Sequence, residues 1–580
     1  MRFSASLLIA AFAATIAGVA LAFPFGGLSM LPAILALAIG VATGAVSFRQ
    51  MPRETGPKAP LHPIEWFLIA VFAMASCRAF FWLLYVKDDS FHIASQNNLG
   101  DLPLHLDFIR YLASGVHFWP DSPIFAGEPL KYPIGADFFN SLLLDAGLPV
   151  ERGLVWVGLG GAAFTAVALW RWGRGFALAA FLFGGGLTGF IVLRDPSLLG
   201  LSPLPDFQAE QEWKNLFLAV FVTQRGLLFA LPAGLLLLDH WRARYLRGER
   251  GLLPTWAAVL LYATMPLYNV HAFLFLSAAV AGIFAFAPDA SARWRSARFV
   301  AVSFLPATIC AALVTGGFSA GGGMHVQLGW MQNETDNTVW KIAWFWLRNF
   351  GFYLVLWLAL TVIAVVRGPR ELRAIVLPAS VMFLACCFYS FAPWPWDNTK
   401  IMLWSWLAVA PYLWSQFIAP LLLPLRAVVC VVLFWTGGVS LVAGLEGHHD
   451  YSIVKVDIVQ NTAQAIKDLP PEARFACAPE FWHPLIMLGR KVAMGYEGHL
   501  WSHGLTYRGK NQDKVDAFRN LMMGGPGWEQ DAEKLGVDYI YWGDAEDDIH
   551  RYSRSLTPWE GTLPVVAEGE DFKIYALPKR

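Results

Sequence analysis

Residues 87–115 read KDDSFHIASQNNLGDLPLHLDFIRYLASG. They gather four aspartates, Asp88, Asp89, Asp101 and Asp107, with two histidines, His92 and His105. A carboxylate beside an imidazole can take a proton from a hydroxyl or hold a cation. The run from Pro103 onward reads as a helix, with Asp101 at its N-terminal end and His105 one turn further on. Both can then face one pocket, and the helix dipole favours the ionised form of Asp101. The structural alternative is that Asp101 only caps the helix. Asp88 and Asp89 likewise read either as site carboxylates or as solvated residues ending an apolar run.

Three further groupings bear on chemistry. Phe118-Trp119-Pro120-Asp121 leads into a proline- and glycine-rich stretch with Glu128, Lys131, Tyr132 and Asp137. Rings beside carboxylates suit sugars, since rings stack on sugar faces and carboxylates accept from hydroxyls. An aromatic belt at a membrane interface is the alternative for the rings, but it leaves Glu128, Lys131 and Asp137 unexplained. Gln224-Arg225 interrupts an apolar run, Asn269 and His271 flank a tight turn, and Asp397-Asn398-Thr399-Lys400 follows Trp394-Pro395-Trp396. An ionisable group at bilayer depth costs about 2.5–3.5 kcal/mol on insertion scales, so it is paired or lines a cavity. Arg225 is expected either to pair with Asp206 or Glu210, or to bind phosphate oxygens in a bidentate way. Lys400 could meet the same phosphate from the opposite wall. The last grouping, Gly495-Tyr496-Glu497-Gly498-His499-Leu500-Trp501-Ser502-His503-Gly504, reads as a loop packed onto the apolar part of the chain. Its glycines disfavour a metal-binding pair of His499 and His503 on a helix.

Elements must position these residues, and composition says what kind. The chain has 580 residues, 56% apolar and 15% charged, with 26 Trp and 43 Phe. A soluble protein carries about 25% charge, so the fold class expected is an all-α polytopic membrane domain. Apolar runs fall at 6–23, 30–47, 64–85, 153–170, 176–193, 215–238, 252–268, 271–287, 299–315, 342–366, 374–391, 401–419 and 427–444, about thirteen spans in all. Alternate connections are short and basic, carrying Arg49, Arg53 and Lys58; Arg171 and Arg174; Arg242, Arg244, Arg247 and Arg250; Arg293, Arg295 and Arg298; Arg367, Arg370 and Arg373; and Arg426. By the positive-inside rule these face the cytoplasm. Residues 87–115, 206–214, 316–341, 394–400 and everything after 450 then face outward. The first span also reads as a signal peptide ending at Ala20-Leu21-Ala22, although a second span follows at once, which favours its retention. Residues 55–63 form a proline-rich connector.

From 450 the composition turns polar. Helices are expected at 456–469 and 515–523, with strands at 474–478, 537–542, 565–568 and 572–577, giving a small α/β extracytoplasmic domain over 450–580. Residues 1–449 form the membrane domain, with its first large outward loop at 86–152. The six cysteines give no disulfide framework or zinc spacing. The formal net charge is zero, so no field recruits nucleic acid. No Walker phosphate loop occurs, which argues against use of ATP.

An outward loop after an early span, with an Asp near its start, resembles the GT-C superfamily of membrane glycosyltransferases, which includes protein mannosyltransferases and bacterial aminoarabinose transferases. Gly100-Asp101 with His105, the stretch Phe125-Ala126-Gly127-Glu128-Pro129 to Tyr132-Pro133 and Asp137, the Trp394–Lys400 turn and the 495–504 loop are similar to a group of bacterial membrane proteins assigned to that superfamily. The resemblance runs from about Phe67 to the end. Two features depart from it. Asp88-Asp89 stands where mannosyltransferases carry Asp-Glu, and two spans precede the one leading into the loop.

The resemblance implies an inverting hexosyl- or pentosyltransferase of a bacterial inner membrane, its C-terminal domain periplasmic. Such an enzyme moves a sugar from a polyprenyl-phosphate donor in the lipid bilayer to an envelope lipid, glycan or protein. Asp101 is the implied base with His105 its partner, and Asp88 and Asp89 are the alternative. Arg225 and Lys400 would hold the phosphate. Gln224, Asp397, Glu128, Lys131, Tyr132, Asp137, His271, His499 and His503 would bind substrate. Acidic residues around a phosphate suit a divalent cation, Mg or Mn, though no ligand set of recognisable spacing fixes one. A flippase for lipid-linked sugar and a catalytically silent envelope-assembly scaffold are the rival readings.

Overall fold

The computed structural model describes residues 1–53, 60–318, 323–332, 338–548, 552 and 554–578. Lys58, most of the proline-rich connector and parts of the 316–341 loop lie outside them. Among the described residues nine helices are long and apolar enough to cross a membrane: Arg2–Phe25, Met30–Gln50, Pro63–Phe81, Val150–Leu182, Ala290–Thr315, Val339–Arg367, Arg370–Phe388, Pro395–Ile418 and Leu423–Leu445. The protein is a multi-pass membrane protein. Another apolar helix, Val270–Ala285, is shorter.

The expected thirteen spans therefore resolve differently, for local reasons. The runs 153–170 and 176–193 remain two helices within Val150–Leu182, separated where Gly173 and Arg174 leave helical geometry, Arg174 at φ 56°, and the second of them is short. That helix stops at Leu182, and Gly184-Gly185-Gly186 precedes a 3-10 segment, Thr188–Leu193. The run 215–238 is broken. A π-turn at Phe217–Phe221 ends before the helix Leu227–Trp241, and Gln224-Arg225-Gly226 fills the gap. A Cβ on Gly226 would stand 2.0 Å from the Tyr268 carbonyl oxygen, so only glycine lets the two breaks approach. The run 252–268 divides into Thr255–Ala263 and Met265–Tyr268. Asn269 then caps Val270–Ala285, its Oδ1 accepting from the Ala272 amide at 2.8 Å. The breaks at 224–226 and 268–269 thus meet.

The first loop is a built structure. Tyr85–Lys87 and Ser90–Ile93 form a hairpin, and Ser90–Ile93 pairs antiparallel with Tyr451–Lys455. Asp88 and Asp89 are the two residues of its turn, at φ 48° and 56°. Short polar residues tolerate that left-handed region. Asp450 fixes the hairpin, accepting from Tyr85 Oη at 2.7 Å and His92 Nδ1 at 2.6 Å, with Lys87 beside it.

The helix expected from Pro103 begins earlier and spans Asn98–Ala113. Its burial explains its place. Leu102, Leu106 and Ile109 enter the large membrane core, while Leu104, Phe108 and Leu112 enter a second core. Spacings of three and four residues put these sets on two faces, so the helix is wedged between two bodies. The second core takes in Ala14 and Val19 of the first helix, then Ile124 and Phe125, and finally Phe475, Ile540 and Ile574 of the C-terminal sheet. That sheet runs Phe475–Ala476, Tyr539–Gly543, Phe572–Ala576, Val565–Glu568. Its first pair is parallel and the others antiparallel. The C-terminal region shares its core with the membrane helices and the first loop.

Candidate functional site

A cavity of about 510 Å³ opens where these segments meet. Asp101, Leu104 and His105 come from the wedge helix, and Tyr132 and Pro133 from the following loop. The two chain breaks bring Gln224, Gly226, Tyr268, Asn269 and His271. Trp394, Trp396, Asp397 and Lys400 form another wall, and Tyr496, His499, Trp501 and His503 close it. Residues as distant in sequence as Gly100 and His503 thereby line one space. The 495–504 stretch, read as a loop, contains a short helix, Glu497–Ser502, and His499 Nε2–H donates to the Gly100 carbonyl at 2.9 Å.

Each wall presents distinct chemistry. Asp101 sits in the first turn of its helix, and its Oδ2 accepts from Gln224 Nε2 at 2.7 Å. Lys400 Nζ lies 3.0 Å from Asp397 Oδ1, a cation facing the cavity beside its own counter-charge. Trp394 and Trp396 stack at 5.2 Å, and Tyr132 lies 4.9 Å from the His503 ring. These ring faces suit a sugar. Loss of bulk water, reinforced by His499 and Lys400, pushes His503 down to about 3. Loss of water also lowers His499, against the pull of the Asp101 charge. Both rings are therefore neutral at pH 7. Burial, with the charges of Asp101, Asp137 and Asp397, raises the Tyr132 phenol far above its ordinary value, so it stays a hydrogen-bond donor.

His105 is held differently from the expectation. Its Nδ1 lies 2.9 and 3.0 Å from the two oxygens of Asp137, not against Asp101. The two side chains are 3% and 2% exposed. His105 Nε2 is buried with no protein partner among the described residues. Asp137, expected as a sugar contact, lies behind the cavity wall and does not line it.

Several other candidates also stand apart from the cavity. Arg225 is 1% exposed and does not line it. The break turns Gln224 and Gly226 toward the cavity and sends the residue between them to Leu154, whose carbonyl accepts from Nη2 at 3.2 Å. Nε and Nη1 of Arg225 are unpartnered among the described residues. The expected carboxylates are elsewhere: Asp206 accepts from the Gln208 amide, and Glu210 is 86% exposed near Arg348. Asp88 and Asp89, committed to the hairpin turn, do not line the cavity. Glu128 and Lys131 form a clamp instead, with Glu128 3.3 Å from Lys131 and 3.2 Å from Lys514. Burial pushes the Glu128 carboxyl up, but the two ammonium groups outweigh it and hold it below the usual range. Asp107 turns away into the second body, fully buried, and burial raises its carboxyl far above the ordinary value. Among the described residues no group of three His, Cys, Asp or Glu is arranged to hold a metal ion.

The pairing of His105 with Asp137 left no local mark in the sequence, because the partners are 32 residues apart on separate helices. Tyr268 closes the apolar run 252–268 and Trp501 stands within the 495–504 grouping, and neither carried a signal of its own as a cavity residue.

No family model matches the chain, and no curated protein matches it. Among solved structures it aligns with the archaeal oligosaccharyltransferase AglB from Archaeoglobus fulgidus, in complex with an inhibitory peptide and a dolichol-phosphate. The TM-score is 0.43 at 13% identity, over 85% of this chain and 70% of that one. It also aligns with the Archaeoglobus fulgidus oligosaccharyltransferase tethered to an acceptor peptide, at TM-score 0.40 and 12% identity over 83% and 69%. The same enzyme in complex with Zn and sulfate gives TM-score 0.39 and 12% identity over 82% and 68%.

Proposed function

We propose that the protein is a membrane glycosyltransferase that moves a sugar from a lipid-phosphate donor to an envelope acceptor on the outward face of a bacterial inner membrane. The convergence of Asp101, His105, paired tryptophans and Lys400 on one cavity at the end of apolar helices carries this reading. The basic connections lie on the opposite side, which supports an outward cavity and a periplasmic C-terminal region. A polyprenyl chain stays in the bilayer while its phosphate meets Lys400, the one Lys or Arg in the cavity wall among the described residues. Trp394, Trp396 and Tyr132 face the sugar. Asp101 deprotonates or orients the acceptor hydroxyl, which attacks the anomeric carbon from the side opposite the phosphate and inverts it. The leaving group is already a phosphate, so positioning and charge stabilisation carry the rate.

The test supplies purified protein with labelled polyprenyl-phosphate sugars and candidate envelope acceptors. Transfer is expected, and Asp101→Asn should slow it by about 10²–10⁴-fold. Undiminished transfer by Asp101→Asn overturns the role of that carboxylate. Movement of intact donor across proteoliposomes, without bond cleavage, overturns the transferase reading in favour of a flippase.

A further inference from the structure

The buried pair behind the cavity wall deepens this reading and rests on it. We propose that His105 Nε2 takes the proton of the acceptor hydroxyl, and that Asp137 is the positioning residue that makes it able to. A carboxylate only accepts hydrogen bonds, so the contact at 2.9 and 3.0 Å places the imidazole proton on Nδ1. The lone pair is then on Nε2, the nitrogen with no protein partner among the described residues, on a residue that lines the cavity. A histidine that merely tied two helices together would have no need to keep a buried acceptor unsatisfied. Asp137 lies in the first turn of the helix Gly135–Asp145, where the dipole favours negative charge. Its charge also acts on the buried Arg225, whose Nε and Nη1 have no partner among the described residues.

The step balances. As the acceptor oxygen bonds to the anomeric carbon, its proton passes to His105 Nε2. The bond from that carbon to the phosphate oxygen breaks, and its electron pair leaves on the phosphate. The imidazolium is held against Asp137 until its proton passes to water. Asp101, held by Gln224, orients the hydroxyl. Tyr132 lies 6.1 Å from the His105 ring, His499 and His503 feel its charge, and Asp101, Tyr268, His271, Asp397, Lys400 and Tyr496 line the same cavity.

Asp137→Asn keeps the shape and removes the preference for one tautomer. The experiment measures its kcat and donor KM between pH 5 and 9, alongside the 15N signals of His105 in substrate-free protein. The expected result is a fall in kcat of about 100-fold or more with donor KM nearly unchanged. The acidic limb of the wild-type pH profile should move, Nδ1–H should give way to mixed tautomers, and Asp137→Glu should recover part of the rate. Wild-type kcat and pH profile in Asp137→Asn overturn the proposal, as does wild-type protein with its proton on Nε2. Should Asp137→Asn not fold, the wild-type tautomer and the Asp137→Glu profile decide. Absence of turnover by wild-type protein counts against the transferase reading, while the tautomer measurement still decides the pairing.

Discussion

The two acidic ends of the first loop began alike and finished apart. Asp88 and Asp89 stand twelve to thirteen positions before Asp101, in the same polar stretch, yet they occupy a hairpin tip while Asp101 faces a cavity. Neither charge nor proximity in sequence separates them. The difference lies in what each backbone joins. The hairpin adds a strand to the edge of Tyr451–Lys455, which leaves its turn outside. The helix Asn98–Ala113 is driven between two cores, which carries its first turn to the point where five other segments meet.

The sharpest way to break this contrast is to neutralise both ends. Asp101→Asn should lower transfer by at least about 100-fold, whereas the double variant Asp88→Asn, Asp89→Asn should stay within about twofold, since exposed charges contribute little. Equal losses in a transfer assay would dissolve the distinction. The next contrast sets the two cations against each other. Lys400→Met should raise donor KM by about 10–100-fold, the worth of one charge-assisted hydrogen bond. Arg225→Met should change thermal stability while leaving donor KM unaltered, and a raised KM would return Arg225 to the phosphate.

Acid should act on the cavity side of the molecule before the hairpin side. The unfolded chain binds a proton at His503 near the ordinary value of 6.5, while the folded chain does so only at about 3. The unfolded state therefore binds more protons in between. Stability from this group is whole above about pH 6.5 and declines as pH falls toward 3. His503→Phe keeps the ring against Tyr132 and should flatten that part of the thermal-stability profile. An unchanged slope would mean that the ring is free to titrate when folded. The smallest effect belongs to the hairpin anchor. Asp450→Asn should cost below about 1 kcal/mol by thermal unfolding, because Asp450 and its partner Lys87 are solvent-accessible.

How much of this could be read from the chain depends on the range over which residues act. The apolar runs announce their helices, and the alternating residues at 565–568 and 572–577 announce a strand pair that forms. Spans fail where a short-range signal competes with a long apolar average. Gly226, Arg225 and Gln224 break a run that a window of 20 residues smooths over, and the run 176–193 loses its helix at Leu182, before the glycines 184–186. At the site, residue types were legible and directions were not. Arg225 was recognisable as anomalous, but which wall it faces depends on a backbone break set by Tyr268. His105 was recognisable as a companion to a carboxylate, but the partner proved to be Asp137, reached only when a second helix packs against the first.

The short helix Glu497–Ser502 closes the cavity and bonds to Gly100 across 399 positions of chain. On the proposed topology, this wall emerges from the ribosome after the last apolar helix and must cross the membrane before it can dock. A nascent chain with every span inserted still has an open, incomplete vessel. Under the proposed function this would act as an interlock against premature chemistry, since the site is complete only once export of the final segment is done.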